Sequence, residues 1–349
     1  MSSERIYLDY NATTPLNEPC KKAMIETMAL CGNASAVHAE GRRARSLIEI
    51  AREQVAVAID CKPENLIFTS GATEGASLLL REKNISCAEV EHPCVSHWCD
   101  KILKVSRKGK IRTTNLTKNA VQLANSETGV LQPAKEGLYM SDIVQLVGKV
   151  KFSFESSGIR SAIIAAHKFG GPQGIGAVIA KTDVEINPQI IGGGQEKGYR
   201  SGTESLASIV GLGAAIKFAK IQLDDGVWAK VEELRNLFED ELANSSPRTI
   251  FVGKEGSRLP NTSCFITPGW PGDMQVMQMD ISGFSVSAGS ACSSGKVTKS
   301  STLNAMGYGK EQAECSVRVS IGTKTTKREI QAFVKEWTRV YLDRDRRVA

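Results

Sequence analysis

The 349-residue chain contains no run of eighteen apolar residues, and that excludes an obvious membrane-spanning helix. Its opening, MSSERIYLDY, has no apolar signal core, and the expected location is the cytoplasm. No CxxC pair occurs among the nine cysteines. With an odd number of thiols and no export signal, reduced cysteines are expected rather than a disulfide framework. Cys94, His97 and Cys99 lie close together in EHPCVSHWCD, but their spacing fits no common zinc pattern and no second pair follows, so no metal site is expected. Internal repeats and low-complexity linkers are missing too. Histidine is scarce, with four residues. The net charge of +6 is spread along the chain without an interleaved aromatic stripe, so direct nucleic-acid binding is not expected.

What is present alternates. NLIFTSGATEGASLLL reads as strand, glycine turn and helix. AIIAAHKFGGPQGIGAVIAK reads as strand, loop and strand. GTESLASIVGLGAAIKFAKIQL and VWAKVEELRNLFEDELANS carry apolar residues at helical spacing. The pattern predicts an α/β domain with a mainly parallel sheet. After SSPRT the rhythm changes to short strands around one helix, a small α+β unit. The expected division places residues 14–245 in a large domain and residues 1–13 with 246–349 in a small one.

Three stretches carry chemistry. Lys168 ends the apolar run AIIAAHK and is followed by Gly170 and Gly171. A lysine there either reaches solvent or is partly desolvated, and a desolvated amine is a nucleophile suited to Schiff-base chemistry. The aldehyde cofactor that uses such a lysine, pyridoxal phosphate, needs a carboxylate for its ring nitrogen, and Asp142 in YMSDIVQLVGK is the candidate. Gln145, three residues on, could bond the ring oxygen. The phosphate needs a cradle, and Ala72 and Thr73 open a helix after a strand and a glycine, although an ordinary helix cap has the same signature. His92 is a candidate to stack on the ring. Third, SVSAGSACSSG sets Cys292 among small residues, which suits either a buried filler or a thiol on a loop. GGPQGIG and GGGQEKG lack the GxGxxG turn of dinucleotide sites, and SSGKVT misses the phosphate-loop spacing by one residue.

Together YLDYNATTPL, FTSGATEG, VEHPCVSH, NSETG, AAHKFGGPQGIGA, GGGQEKGYRSGTES, SAGSACSSG and SVRVSIG resemble the cysteine desulfurases of the NifS/IscS type, fold-type I pyridoxal-phosphate enzymes, almost end to end. The resemblance implies that Lys168 binds the cofactor and moves protons at the substrate's α and β carbons. It pairs Asp142 with the ring nitrogen and Gln145 with the ring hydroxyl, stacks His92 on the ring, and assigns the phosphate to Ala72, Thr73 and His167, with Thr203 supplied across a homodimer. Asn125 and Arg318 would bind the carboxylate of L-cysteine, with Asn33 of GNASAVH at the mouth of the site. Cys292 would take the sulfur as a persulfide, release alanine and pass sulfur to an acceptor or iron–sulfur scaffold protein. The rival readings are a selenocysteine lyase or other β-lyase, and a non-enzymatic scaffold. Ala165 stands where the family usually has a phosphate-binding serine. The segments between Thr73 and His92, His92 and Asn125, and Asn125 and Asp142 are shorter than in the family.

Overall fold

The computed structural model describes residues 5–289 and 300–348. One sheet sets strands β2 (Leu66–Thr69), β7 (Gly176–Ala180), β6 (Ser161–Ala165) and β5 (Ser141–Asp142) side by side in that order. β5 runs parallel to β6, whereas β7 runs antiparallel to both β6 and β2. Parallel bridges Ala120–Met140 and Ser86–Asn119 continue the sheet toward β3 (Ser86–Ala88) and its parallel partner β4 (Asp100–Leu103). β2, β6 and β7 are buried along their whole length, as expected of runs such as SAIIA and GAVIA covered on both faces.

Helices α1 (Glu18–Met28), α2 (Ala39–Ile59), α3 (Ala72–Leu80), α4 (Pro93–Ser96) and α5 (Phe154–Ser157) flank this sheet, followed by α6 (Leu206–Asp224) and α7 (Val227–Ser245). By length and apolar composition α6 could cross a membrane. Its packing explains the composition instead. A Cβ at Gly211 would lie 2.7 Å from Met24 of α1, and one at Gly213 would lie 2.8 Å from Ala51 of α2, so two glycines let α6 lie close against both helices.

The C-terminal part sets β8 (Ile250–Phe251), β9 (Thr262–Ile266), β12 (Ser316–Ser320) and β11 (Ser287–Ala288) in an antiparallel sheet. α8 (Gly272–Ile281), α9 (Ser301–Ala305), α10 (Lys310–Glu314) and α11 (Lys327–Val348) surround it. Its core packs Phe265, Trp270, Phe333, Trp337 and Tyr341, with Trp337 and Tyr341 stacked in nearly parallel planes at 5.2 Å. The first strand, β1 (Ile6–Tyr7), pairs with β10 (Phe284–Ser285), and Leu8 is buried in this same core. Phe238 and Leu242 of α7 pack here as well, although α7 precedes residue 246. A second contact ties the chain ends together: Asp9 bridges to Ser320 of β12.

Candidate active site

β6 delivers its last buried residue, Ala165, to a short helical turn, Ala166–Lys168, and Lys168 emerges at the wall of a cavity of about 440 Å³. Gly176 makes the fit possible. A Cβ there would lie 2.4 Å from the Ile164 carbonyl and 2.9 Å from the Gly71 Cα, so only glycine lets β7 run this close to the turn before α3. The Lys168 Nζ donates to the backbone carbonyls of Asn11, at 2.7 Å, and Ala12, at 2.8 Å.

Asp142 ends β5 and lines the same cavity, 8% exposed. Its Oδ1 accepts from the Val144 amide at 2.9 Å. Burial pushes its carboxyl up to about 6, with the Lys168 amine working the other way. Gln145 follows, donating from Nε2 to the Asn11 carbonyl at 2.9 Å.

His92 caps α4: its Nδ1 accepts from the Cys94 amide at 3.2 Å. An Nδ1 that accepts leaves the ring proton on Nε2. Burial first, and Lys168 second, bring its pKa down to about 4, so the ring is neutral at pH 7. His167 faces the Thr13 hydroxyl at 3.2 Å, and its pKa is also lowered to about 4, by burial and by Lys168 and Lys149.

Ala72 and Thr73 form the first turn of α3 and line the cavity. No side chain caps this helix, and a Cβ added at Gly71 would meet nothing within 4 Å. Open backbone N–H groups facing space for ligand atoms suit an anion. Glu74 closes the outer side by accepting from the Ser70 amide at 2.8 Å and pairing with Arg200 at 3.0 Å.

Arg318, on β12, enters from the other sheet. It is 3% exposed, pairs with Asp9 at 2.7 Å and donates to the Ser126 carbonyl at 3.1 Å. Its Nε has no hydrogen-bond partner among the described residues. Asp9 holds the Ser287 hydroxyl at 2.6 Å with its other oxygen.

The remaining candidates stand apart. Asn125 is buried just outside the cavity lining, its Oδ1 accepting from Glu127 and Thr128 and its Nδ2 donating to the Val90 carbonyl. Asn33 is exposed and caps a local turn through Ser35. Thr203 is exposed on this single chain. Cys292 lies outside the described residues. The sequence reading missed the Asn11 and Ala12 carbonyls, Asp9, and Lys149, which donates to Gln145. Backbone acceptors leave no side-chain signature, and the Asp9–Arg318 pair joins positions at opposite ends of the chain.

The family model "Aminotransferase class-V" matches residues 6–333. A cysteine desulfurase IscS from Dictyoglomus turgidum is 34% identical, with 93% of this chain and 91% of the relative covered. An IscS-like cysteine desulfurase from Mycobacterium tuberculosis is 33% identical, with 94% of each covered. The alignment with the Dictyoglomus protein runs over 363 residues, more than this chain contains, so it includes gaps opposite residues that the relative has and this chain lacks. Among solved structures, a NifS-like protein from Rickettsia africae superposes with a TM-score of 0.88 at 31% identity, covering 97% of this chain and 99% of that one.

Proposed function

This chain belongs to the aminotransferase class-V family, and from that premise we propose that it is a pyridoxal-phosphate-dependent L-cysteine desulfurase that converts L-cysteine to L-alanine and carries the released sulfur on Cys292. The observation that carries the reading is convergence: the Lys168 amine, the Asp142 carboxyl, the neutral His92 ring and the uncapped first turn of α3 meet around one cavity. Those are the donor types that pyridoxal phosphate needs, and the space beside Gly71 and the open N–H groups of α3 fit its phosphate. When bound, the cofactor supplies an aldehyde for amines and an electron-withdrawing ring that stabilises negative charge at the substrate's α-carbon.

In this reading the residues divide the work. Asp142 holds a proton at the ring nitrogen, and a cation beside it would draw its raised pKa down. His92, locked by the Cys94 amide and uncharged, stacks on the ring and offers its Nε2 hydrogen. Gln145 donates to the ring oxygen. Ala72, Thr73 and His167 hold the phosphate, with Thr203 contributed by a second copy in a homodimer. Ala165 has no hydroxyl to add. Lys168 binds the cofactor, takes the proton from the substrate's Cα and returns one at Cβ. Arg318, steadied by Asp9, grips the substrate carboxylate with two parallel N–H groups, and Asn125 and Asn33 assist at that end. The Cys292 thiolate attacks the substrate sulfur, the C–S bond breaks, and sulfur stays as a persulfide for an acceptor in iron–sulfur or thio-cofactor assembly. The work is cytoplasmic. Residues 14–245 carry the cofactor site, and residues 1–13 with 246–349 bring Arg318 and Cys292 to it.

The test is release of sulfide and alanine from L-cysteine with added pyridoxal phosphate and a reductant. Equal amounts of both products, lost in Cys292→Ala, are expected. A cofactor-loaded protein that releases neither overturns the proposal.

A further inference from the structure

Lys149 is a lysine buried to 4% exposure, and among the described residues it has no ion-pair partner. Its amine makes one hydrogen bond there, donating to Gln145 Oε1 at 2.8 Å. Its charged neighbours are cations, Lys168 and Arg318, and His167 feels its charge in turn. Burial and those two cations bring its amine down to about 7. A buried cation among cations is costly unless an anion arrives to offset it.

Gln145 is gripped at both ends. Its Oε1 accepts from Lys149 and its Nε2 donates to the Asn11 carbonyl, which also takes the Lys168 amine. A flipped amide would set donor against donor at Lys149 and acceptor against acceptor at Asn11. Gln145 lines the cavity, so the group it has left to offer there is its second amide hydrogen.

We propose that Lys149 is a positioning residue of the cofactor site: through Gln145 it fixes an amide donor toward the cavity, and as the buried cation behind that amide it holds the ring oxygen of pyridoxal phosphate in its anionic form. The inference rests on the proposed function above. It explains why a buried lysine without a carboxylate partner stands within reach of the Lys168 and Arg318 charges: the bound cofactor is the counter-charge.

The test reads the visible band of the bound cofactor against pH, together with the rate of cofactor release and the melting temperature. A nearby cation opposes the protonated form of the bound chromophore, and an amide donor stabilises the anionic ring oxygen. Lys149→Met removes the cation and the bond that fixes the Gln145 amide, so the pH midpoint rises by about half a unit or more and the cofactor leaves about three-fold faster or more. Lys149→Gln keeps a donor without the charge and gives a smaller rise. It carries the test alone if the methionine variant does not fold. In a Gln145→Leu background the Lys149→Met shift shrinks, as expected of a residue acting through another. A lysine that only packs would change the melting temperature and leave the midpoint in place, and that result overturns the inference. No visible band in the parent protein would instead overturn the proposed function, and this inference with it.

Discussion

Glu196 sits in the GGGQEKGYRSGTES loop, and its carboxylate is the buried half of a pair with Arg52 of α2. Arg52 Nη2 reaches Glu196 Oε1 at 2.7 Å, Nη1 reaches Oε2 at 3.1 Å, and the Phe68 amide of β2 donates to the same Oε2 at 2.8 Å. One carboxylate therefore ties a loop to a helix and a central strand. Glu196→Ala leaves Arg52, a residue 5% exposed, with the outlying Glu49 as its carboxylate, and leaves the Phe68 amide without this acceptor. Removing one partner of such a pair costs about 3–5 kcal/mol. At ~2.1 cal/mol/K per residue, a chain of 349 residues unfolds with an entropy near ~0.7 kcal/mol/K, so the melting temperature falls by about 4–7 °C. Glu49, the other carboxylate on Arg52, has a side chain 57% exposed and supplies the control: Glu49→Ala costs ~0.5 kcal/mol, below about 1 °C. Differential scanning calorimetry on the apo protein measures both. A Glu196→Ala melting temperature within about 1 °C of the parent would refute the claim that this pair anchors the loop. The same loop carries Arg200, the partner of Glu74 at the mouth of α3, so Glu196→Ala is also expected to weaken cofactor retention.

Other outcomes follow from the same geometry. Lys168→Ala removes the amine proposed to bind the aldehyde, and an unchanged visible spectrum on adding pyridoxal phosphate would contradict that assignment. Asp9→Ala frees Arg318 from its carboxylate and is expected to raise KM for L-cysteine more than it lowers kcat, read from initial rates. His92 has a folded pKa lowered from 6.5 to about 4, so the stability it contributes is complete above pH 6.5 and disappears as pH falls through about 4. His92→Phe should therefore flatten the fall in apo melting temperature across that window; an equally steep fall in the variant would show that the ring is not the group responsible.

Much of this arrangement was legible in the residues. The apolar run AIIAA followed by HK and two glycines marked Lys168 at a strand end, and the strand, loop, strand reading of that stretch matches β6 and β7. FTSGATEG marked the turn into α3, and VWAKVEELRNLFEDELANS matches α7 to its last serine. The antiparallel direction of β7 was not legible, because periodicity gives the strand and not its orientation. The Asn11 and Ala12 carbonyls were invisible for a plainer reason: every residue has a carbonyl, and tertiary contact alone selects two of them. Lys149 carries no signal of its own in LVGK; burial and its bond to Gln145 set it apart. Cys292, proposed from its small neighbours and the resemblance, lies outside the described residues.

The meeting of Asp9 and Asn11 with β12 has a consequence for how the protein is made. Asn11 takes its amide partner from Ser320, Asp9 holds Arg318, and the Asn11 carbonyl receives Lys168. Asp9 and Asn11 thus have their fixed places on a strand that is synthesised 309 residues after them. Until that strand arrives, a nascent chain can have its central sheet, Lys168 and the turn into α3 but no anchored wall around Asp9 and Asn11. Assembly of this wall therefore waits for β12, and a chain that stops short of that strand cannot set Arg318 against Asp9.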